Sequence, residues 1–291
     1  MKNTGLLLFA LLASVCGAAA QVTVEVTPEQ QQFLPGEAIR MAVRVTNRSG
    51  QTLQLGKDAD WLSFSVEARD GFIVLQTGDV PVVQPFDLES SKVATKHVDL
   101  APYFNIIRPG RYSVTAAVKI KDWTTQITSE PQAFDVVRGV KIWEQEFGLP
   151  PASPADHAAP EVRKYALQKA VFADNMKLYL RLTDAAETQV YKVLPIGPMV
   201  SFSRPESQID PQSNLHLIYQ TGSRTLLYNE INPQGDVIRR QTYDYTTTRP
   251  RLKMDDTGKV NVIGGVRRLT DNDIPPSSEL PLTDLGHPSK P

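Results

Sequence analysis

Cysteine is almost absent from this chain, which has one in 291 residues, at Cys16. Disulfides therefore cannot brace the fold, and a zinc site built from thiolates is excluded. Histidine is also scarce, with four in the sequence, and no pair shows the H-E-x-x-H spacing of metalloproteases. The sequence assigns no catalytic, cofactor-binding or metal-ligating residue and predicts no cofactor.

Neither sign of charge is in excess. The 31 basic residues nearly balance 32 acidic ones, giving a formal net charge of −1. A near-neutral chain lacks the basic bias typical of nucleic-acid binding, so we expect no nucleic-acid partner. Long apolar runs are missing too, because the longest, residues 6–15, falls short of the roughly 20 residues that cross a bilayer.

The N-terminus has the three parts of an export signal. Lys2 supplies a positive charge, residues 6–15 form the apolar run, and Ala18 to Ala20 provide a small-residue cleavage site. We therefore expect residues 1–20 to be a signal peptide, Gln21 to begin the mature chain, and the protein to be periplasmic or secreted. A lipoprotein anchor at Cys16 is the rival interpretation, but Val15 is larger than the residue that such a signal favours.

Residues 21–137 predict a β-sandwich. Short segments alternate apolar and polar residues, and turn-forming residues such as Pro35-Gly36 separate them. Seven or more such segments in about one domain length indicate two packed sheets. The predicted strands are Val22–Val26, Ile39–Val45, Thr52–Leu55, Leu62–Ala68, Phe72–Gln76, Arg111–Ile120, Trp123–Ile127 and Ala133–Val137.

Three short motifs in this region carry a resemblance. They are Val43-Arg44-Val45-Thr46-Asn47, then Trp61 to Val66 followed by Asp70-Gly71, and Pro109-Gly110-Arg111-Tyr112. With them the region resembles bacterial immunoglobulin-like domains, the β-sandwich family of bacterial proteinase inhibitors and macroglobulin-type modules. The resemblance implies a sandwich fold and transfers no inhibitory loop residue.

The rest of the chain divides into three parts. Residues 138–160 are expected to be a connector that ends in a linker rich in proline and alanine. Residues 161–273 predict a second antiparallel β domain, which begins with a hairpin around Asp174-Asn175; a helix over Glu161–Ala170 is the alternative. Residues 274–291 are proline-rich and predict a disordered tail. The expected fold class is thus all-β throughout.

A weak internal repeat lies in the second β domain. Arg204-Pro205 recurs as Arg249-Pro250, and at the same offset Asp210 matches Asp255 and Ile218 matches Ile263. The offset falls in the range of one propeller blade, about 40–45 residues. We therefore expect the two segments to occupy equivalent places in consecutive β units, with a resemblance to a partial propeller as one form of this domain.

Candidate chemical groups are few and weakly patterned. His157 lies in the linker, His287 in the tail and His97 in a predicted surface loop, while His216 is expected to face solvent or an interface. Two acidic segments, Asp255-Asp256 and Asp271 to Asp273, are weak calcium candidates, since neither completes a known calcium-binding loop. Gly264-Gly265 predicts a tight bend. The tyrosines of the second β domain are expected to be packing residues: Tyr219, Tyr228, Tyr243 and Tyr245.

These observations favour an exported, non-enzymatic binding or scaffolding protein of the cell envelope, similar to exported proteins of Gram-negative-type bacteria. The expected partner is a protein or glycan ligand, and homo-oligomerisation through the C-terminal domain stays open. Two alternatives also stay open: an accessory domain or hydrolase with a site in the C-terminal β domain, and a proteinase inhibitor that uses a sandwich loop. A concave surface with clustered polar side chains would locate the site.

Overall fold

The protein is described here by a computed structural model, which covers residues 22–121, 123, 126–149, 161–172 and 175–276. The predicted signal peptide, the linker from residue 150 to 160 and the tail from residue 277 lie outside the described residues. The described chain is all-β, as the sequence predicted, and consists of 21 strands. It contains no helix that could span a membrane.

The first ten strands form the sandwich. One sheet has the order β1-β3-β7, the other has the order β2-β10-β8-β5 with β9 alongside β8, and β4 pairs with β6. Their bounds are β1 Val22–Pro28, β2 Gln32–Phe33, β3 Arg40–Asn47, β4 Leu53–Leu55, β5 Leu62–Ala68, β6 Phe86–Leu88, β7 Val93–Asp99, β8 Gly110–Lys119, β9 Gln126–Thr128 and β10 Gln132–Val136.

Alternating residues of both sheets build one core. Along β3, Met41, Val43 and Val45 are buried while their neighbours are more exposed, which is the period-2 pattern the sequence showed. Phe33 meets Phe134 edge-on within the same core, at a centroid distance of 5.7 Å. The predicted sandwich is therefore observed.

Two of the predicted sandwich strands differ in the structure. Phe72–Gln76 is a loop whose apolar residues Ile73 and Leu75 are exposed, so its apolar content did not reflect burial. The segment predicted as Trp123–Ile127 becomes β9, which is shifted toward residue 128. By contrast, β7 went unpredicted because its sequence VATKHVD is mostly polar, although it pairs fully with β3.

The second half contains eleven strands. β11 to β14 form a four-stranded meander, β15 to β18 with β21 form a five-stranded sheet, and β19 pairs only with β20. Their bounds are β11 Val140–Gly148, β12 Val162–Phe172, β13 Asn175–Asp184, β14 Val190–Pro198, β15 Glu206–Ile209, β16 Leu215–Gln220, β17 Thr225–Ile231, β18 Val237–Asp244, β19 Arg251–Met254, β20 Val260–Ile263 and β21 Val266–Arg268.

The first part of the expected connector is a strand. Val140–Gly148 is β11, an edge strand of the four-stranded sheet, paired with β12 along its length. The prediction of a connector was wrong here because most β11 side chains are exposed and so show no apolar alternation. β12 and β13 form the predicted hairpin, which rules out the helical alternative for 161–170.

The three sheets of this half pack as successive layers. Leu167, Leu180 and Leu217 belong to an apolar cluster between the four-stranded and five-stranded sheets. On the other face of the five-stranded sheet, Ile218 and Tyr228 pack against Leu252 and Val260 of the β19–β20 hairpin, and Leu226 completes this smaller cluster. As a result β16, in the middle layer, is buried at all six positions.

The sandwich is joined to the second half through a small apolar cluster. Leu34, from the turn after β2, packs with Ala170, Tyr179 and Val193 on the outer face of the four-stranded sheet. The Arg181 side chain donates a hydrogen bond of 2.9 Å to the Pro35 carbonyl oxygen across the same junction.

The predicted repeat corresponds to two hairpins with the same turn. In β15–β16 the Asp210 amide donates to the Asn214 carbonyl oxygen at 3.1 Å, and in β19–β20 the Asp255 amide donates to Lys259 at 2.9 Å. The fourth turn residue has a positive φ in both, 65° at Ser213 and 85° at Gly258.

A third turn, Asn232 to Asp236 between β17 and β18, repeats this bonding pattern. Both predicted segments are hairpins with this turn, but they belong to different sheets, so the prediction that they occupy equivalent places in consecutive β units is wrong. Because local turn chemistry recurs at three hairpins, it does not by itself identify a blade.

Candidate functional site

The second half contains a polar groove between the five-stranded sheet and the β19–β20 hairpin. Its volume is about 700 Å³. A concave surface with clustered polar side chains is the feature expected to locate a binding site. The side chains and backbone that line it belong to Asp210, Gln212, His216, Tyr228, Glu230, Arg239, Gln241, Tyr243, Thr257, Gly258, Lys259, Val260, Asn261, Val262 and Arg267.

Strand pairing brings the polar side chains of the groove into rows. His216 on β16 lies directly opposite Glu230 on β17, which in turn lies opposite Arg239 on β18. Directly opposed residues of antiparallel strands project to the same face, so these three side chains are neighbours. On the face of the five-stranded sheet that lines the groove, this row of side chains is therefore polar. The apolar packing against the β19–β20 hairpin begins at Ile218.

Asp210 is held by the turn that it begins. One carboxylate oxygen accepts from the backbone amides of Gln212 at 2.9 Å and Asn214 at 2.8 Å, and the other accepts from the Asn214 side-chain amide at 2.9 Å. Burial opposes ionisation, but these bonds and the neighbouring His216 outweigh it, so the pKa of the Asp210 carboxyl lies below its ordinary value. Asp210 is thus an ionised acceptor at neutral pH.

His216 is buried in the groove wall, with its side chain 5% exposed. Its Nε2 lies 3.1 Å from Asp210 Oδ2, and its Nδ1 lies 2.7 Å from the Tyr228 hydroxyl. Because an ionised carboxylate can only accept, Nε2 carries the proton, and in the neutral ring Nδ1 accepts from Tyr228. The expectation of a solvent-facing His216 was wrong; it lies at the interface between the sheet and the hairpin, which was the other expected placement.

Tyr228 and Glu230 extend this network along β17. Burial raises the pKa of the Tyr228 hydroxyl, and the nearby Glu230 charge raises it further, so the hydroxyl keeps its proton at neutral pH. Glu230 accepts an ion-pair contact of 3.2 Å from Arg239 Nε. The result is a continuous polar chain from Asp210 through His216 and Tyr228 to Glu230 and Arg239.

The opposite wall of the groove is the turn of the β19–β20 hairpin. Asp255 accepts from the Thr257 amide at 3.0 Å, the Lys259 amide at 3.0 Å and the Asn261 side chain at 3.3 Å. Gly258 approaches Pro211 of the other hairpin so closely that a Cβ on Gly258 would stand 2.6 Å from the Pro211 ring. The two equivalent turns therefore touch and form one end of the groove.

The remaining histidine and acidic candidates have structural roles or are not described. His97 is exposed as expected, but it lies on β7, with Nδ1 2.9 Å from Glu29. Asp255 serves its own turn. Asp273 is buried, accepts a hydrogen bond from Thr270 at 2.8 Å and lies 3.5 Å from Arg267 Nη2. His157 and His287 lie outside the described residues.

The tyrosines and the glycine pair behave partly as predicted. Tyr219 and Tyr228 are buried and pack in sheet cores, in agreement with the packing role. Tyr243 lines the groove and Tyr245 is substantially exposed. Both glycines of Gly264-Gly265 have positive φ, 74° and 64°, and they form the tight bend between β20 and β21.

A second cavity of about 680 Å³ lies at the junction between the sandwich and the four-stranded sheet, lined in part by Glu29, Glu37, Arg40 and Tyr191. Glu37 is buried there, and burial raises its pKa above the ordinary value. Its carboxylate accepts from Gln30 Nε2 at 2.6 Å and from the Leu34 amide at 2.8 Å. Glu37 is therefore committed to the turn that follows β2.

Comparison with known proteins adds no assignment: no protein-family model matches the chain, and a search of the curated proteins finds no match. Among the described residues, the only group of three metal-ligating side chains is Asp210, His216 and Glu230. In the sequence, His216 and Asp210 were singled out for separate reasons, and Glu230 was not predicted as a site residue. The missing signal was the register, which places Glu230 opposite His216 two strands after the Asp210 turn.

Proposed function

We propose that this chain is an exported, non-enzymatic binding protein of the cell envelope, and that the polar groove is its binding site. The single observation that carries the proposal is the concave groove, whose lining consists largely of hydrogen-bonded polar side chains. Elsewhere the sheets of the second half bury mainly apolar side chains. Export is supported by the sequence pattern of residues 1–20, and the sandwich serves as the supporting module.

The chemistry of the groove favours binding over catalysis. Both ring nitrogens of His216 already contact protein groups, so neither is free to take a proton from a substrate. The Tyr228 hydroxyl stays protonated, and Asp210 stays ionised because its pKa is lowered. An acid catalyst for glycoside hydrolysis needs the opposite, a carboxyl whose pKa is raised.

The ligand class that suits the groove best is a glycan. Gln241 and Asn261 provide amides, Lys259 and Arg239 provide cationic donors, and Tyr243 provides a ring with a polar end. Sugars present many hydroxyls that pair with such groups, and their apolar faces rest on aromatic rings. The groove is too polar to suit an extended apolar peptide.

The test is a calorimetric titration of the mature chain with solubilised cell-wall glycan fragments, with EDTA present throughout. We expect saturable binding that is weakened in Gln241→Ala and in Lys259→Ala. The matched control is Lys57→Ala, because Lys57 is an exposed lysine on the sandwich, outside the groove. No saturable binding, or equal binding by all three variants, would contradict the proposal.

The hydrolase alternative is favoured by one specific observation, the buried contact between Asp210 and His216 at 3.1 Å. Release of reducing ends from the same fragments, abolished in His216→Asn, would support it in place of binding. The inhibitor alternative, which needs a protruding loop on the sandwich, has no comparable support. The loop after β5 is held against the sandwich by a hydrogen bond of 3.0 Å from Trp61 Nε1 to the Val82 carbonyl oxygen.

Localisation has its own test. N-terminal sequencing of the protein recovered from the periplasm or medium should begin at Gln21. Recovery of a chain that begins with lipid-modified Cys16 would replace the soluble-export interpretation with a membrane anchor.

A further inference from the structure

Three side chains of the groove can place ligand atoms around one point. Asp210 directly follows β15, His216 lies on β16 and Glu230 lies on β17, and one ligand atom from each lies within 4.8 Å of the others. His216 Nε2 and Asp210 Oδ2 are already 3.1 Å apart, close to the roughly 3.4 Å that separates two ligands of a tetrahedral zinc ion. We propose that Asp210, His216 and Glu230 bind one Zn²⁺ ion in the groove.

The three ligands are desolvated and held in place. The exposed fractions of the Asp210, His216 and Glu230 side chains are 9%, 5% and 16%. Each also has a partner outside the proposed metal site: the 210–214 turn for Asp210, the Tyr228 hydroxyl for His216 Nδ1, and Arg239 for Glu230. Such outer contacts orient metal ligands and are typical of zinc sites.

The proton balance of the site is simple. A zinc ion bound at Nε2 would take the place of the proton that Nε2 donates to Asp210. The imidazole would stay neutral, with its one N–H proton on Nδ1. The Tyr228 hydroxyl turns from donor to acceptor for that proton, and the oxygen already lies 2.7 Å away.

The equivalent hairpin shows that the turn does not require a histidine. At the place of His216, the β19–β20 hairpin has Asn261, whose amide donates 3.3 Å to Asp255 just as His216 does to Asp210. An amide is therefore sufficient for the turn contact. His216 has an imidazole at this position, and it lies opposite Glu230 on the neighbouring strand. The imidazole is therefore not needed to stabilise the turn, and its added capacity is to bind a metal ion.

A further oxygen projects to the same face of the sheet as His216. Gln208 on β15 is paired with His216, so its side chain projects to the same face. Its Oε1 is buried and has no hydrogen-bond partner within the part of the chain that the structure describes. A buried acceptor without a donor is costly, and a cation nearby would satisfy it directly or through a bound water.

The donor set selects the metal. One imidazole and two carboxylates suit Zn²⁺ and similar transition-metal ions, whereas Ca²⁺ and Mg²⁺ prefer sites made wholly of oxygen. Three protein ligands leave a coordination position that faces the groove. A glycan hydroxyl would fill that position, so a role of the zinc ion in ligand binding rests on the proposed function. The metal site itself depends only on its three protein ligands.

The test is calorimetric titration of the EDTA-treated, dialysed mature chain with ZnCl₂ alone at pH 7.5. We expect one zinc per chain. His216→Asn, which copies the Asn261 hairpin, and Glu230→Gln should each weaken binding on the order of 100-fold or more. His97→Asn is the matched control, because His97 also contacts a carboxylate but is exposed, and it should bind zinc like the wild type.

The outcomes separate this inference from the proposed function. Absence of zinc binding by the wild type, wild-type affinity in both groove variants, or loss of binding in His97→Asn would each overturn the zinc site. If zinc fails while glycan fragments bind in EDTA, the binding function stands without the metal. If zinc binds and glycan does not, the metal site stands and the glycan proposal falls.

Discussion

Replacing the first residue of each equivalent turn tests the effect of burial within one protein. Asp210→Ala and Asp255→Ala each remove a carboxylate that accepts four hydrogen bonds from its own hairpin. The two turns have the same backbone geometry, so local conformational effects should be alike. They differ in surroundings: the Asp210 side chain is 9% exposed, whereas Asp255 is open to solvent.

The magnitude follows from the donors that lose their acceptor. Each buried donor left unsatisfied costs about 1–3 kcal/mol, while an exposed donor bonds to water instead. His216 Nε2 and the Asn214 side chain are the donors that water reaches least after Asp210→Ala, so we expect a total loss of about 3 kcal/mol in the free energy of unfolding. Asp255→Ala should cost clearly less, because water can replace every bond that it breaks.

Urea denaturation followed by tryptophan fluorescence measures both variants against the wild type. The pKa of Asp210 is lowered on folding, so its contribution is present above the ordinary pKa of 3.8 and is lost as pH falls through the folded value. The difference in the free energy of unfolding between the wild type and Asp210→Ala should therefore be largest at pH 7 and decrease toward pH 3. Equal losses in the two variants, or a deficit that grows in acid, would refute the reasoning.

Three further predictions concern the groove and the junction. Tyr228→Phe should weaken zinc binding by about 10-fold or more in the same titration, because the His216 ring loses its outer partner; unchanged affinity would remove Tyr228 from the site. Gly258→Ala should lower the melting temperature more than Gly50→Ala, since both have positive φ but only Gly258 has a neighbour, Pro211, within contact of the added methyl; equal shifts would contradict this. Leu34→Ala should destabilise the chain by about 2–5 kcal/mol in urea, because it opens a cavity at the junction; a change below 1 kcal/mol would show that the junction cluster does not couple the two halves.

The sequence predicted the sandwich well because its alternating strands have one buried face and one exposed face. Val22, Val24 and Val26 of β1 are buried in turn, as their spacing predicted. The edge strand β11 escaped this rule, because it exposes nearly all of its side chains and so shows no contrast between two faces.

The candidate site was only partly visible in the sequence. The recurrence of Asp210 and Asp255 was detected, and it marked true hairpins. The pairing of His216 with Glu230 depends on the length of the turn between β16 and β17 and on the resulting register, which composition does not specify. Two residues that share no sequence motif thus become direct neighbours.

The attachment of the β19–β20 hairpin has a dynamic consequence. Within the described residues its strands pair only with each other, and it adheres to the five-stranded sheet through side chains such as Leu252 and through the bond from the Leu252 amide to Glu206. A unit without a backbone ladder to its support can detach at a lower free energy than the sheet beneath it. Amide hydrogens of β19 and β20 should therefore exchange faster than those of β16.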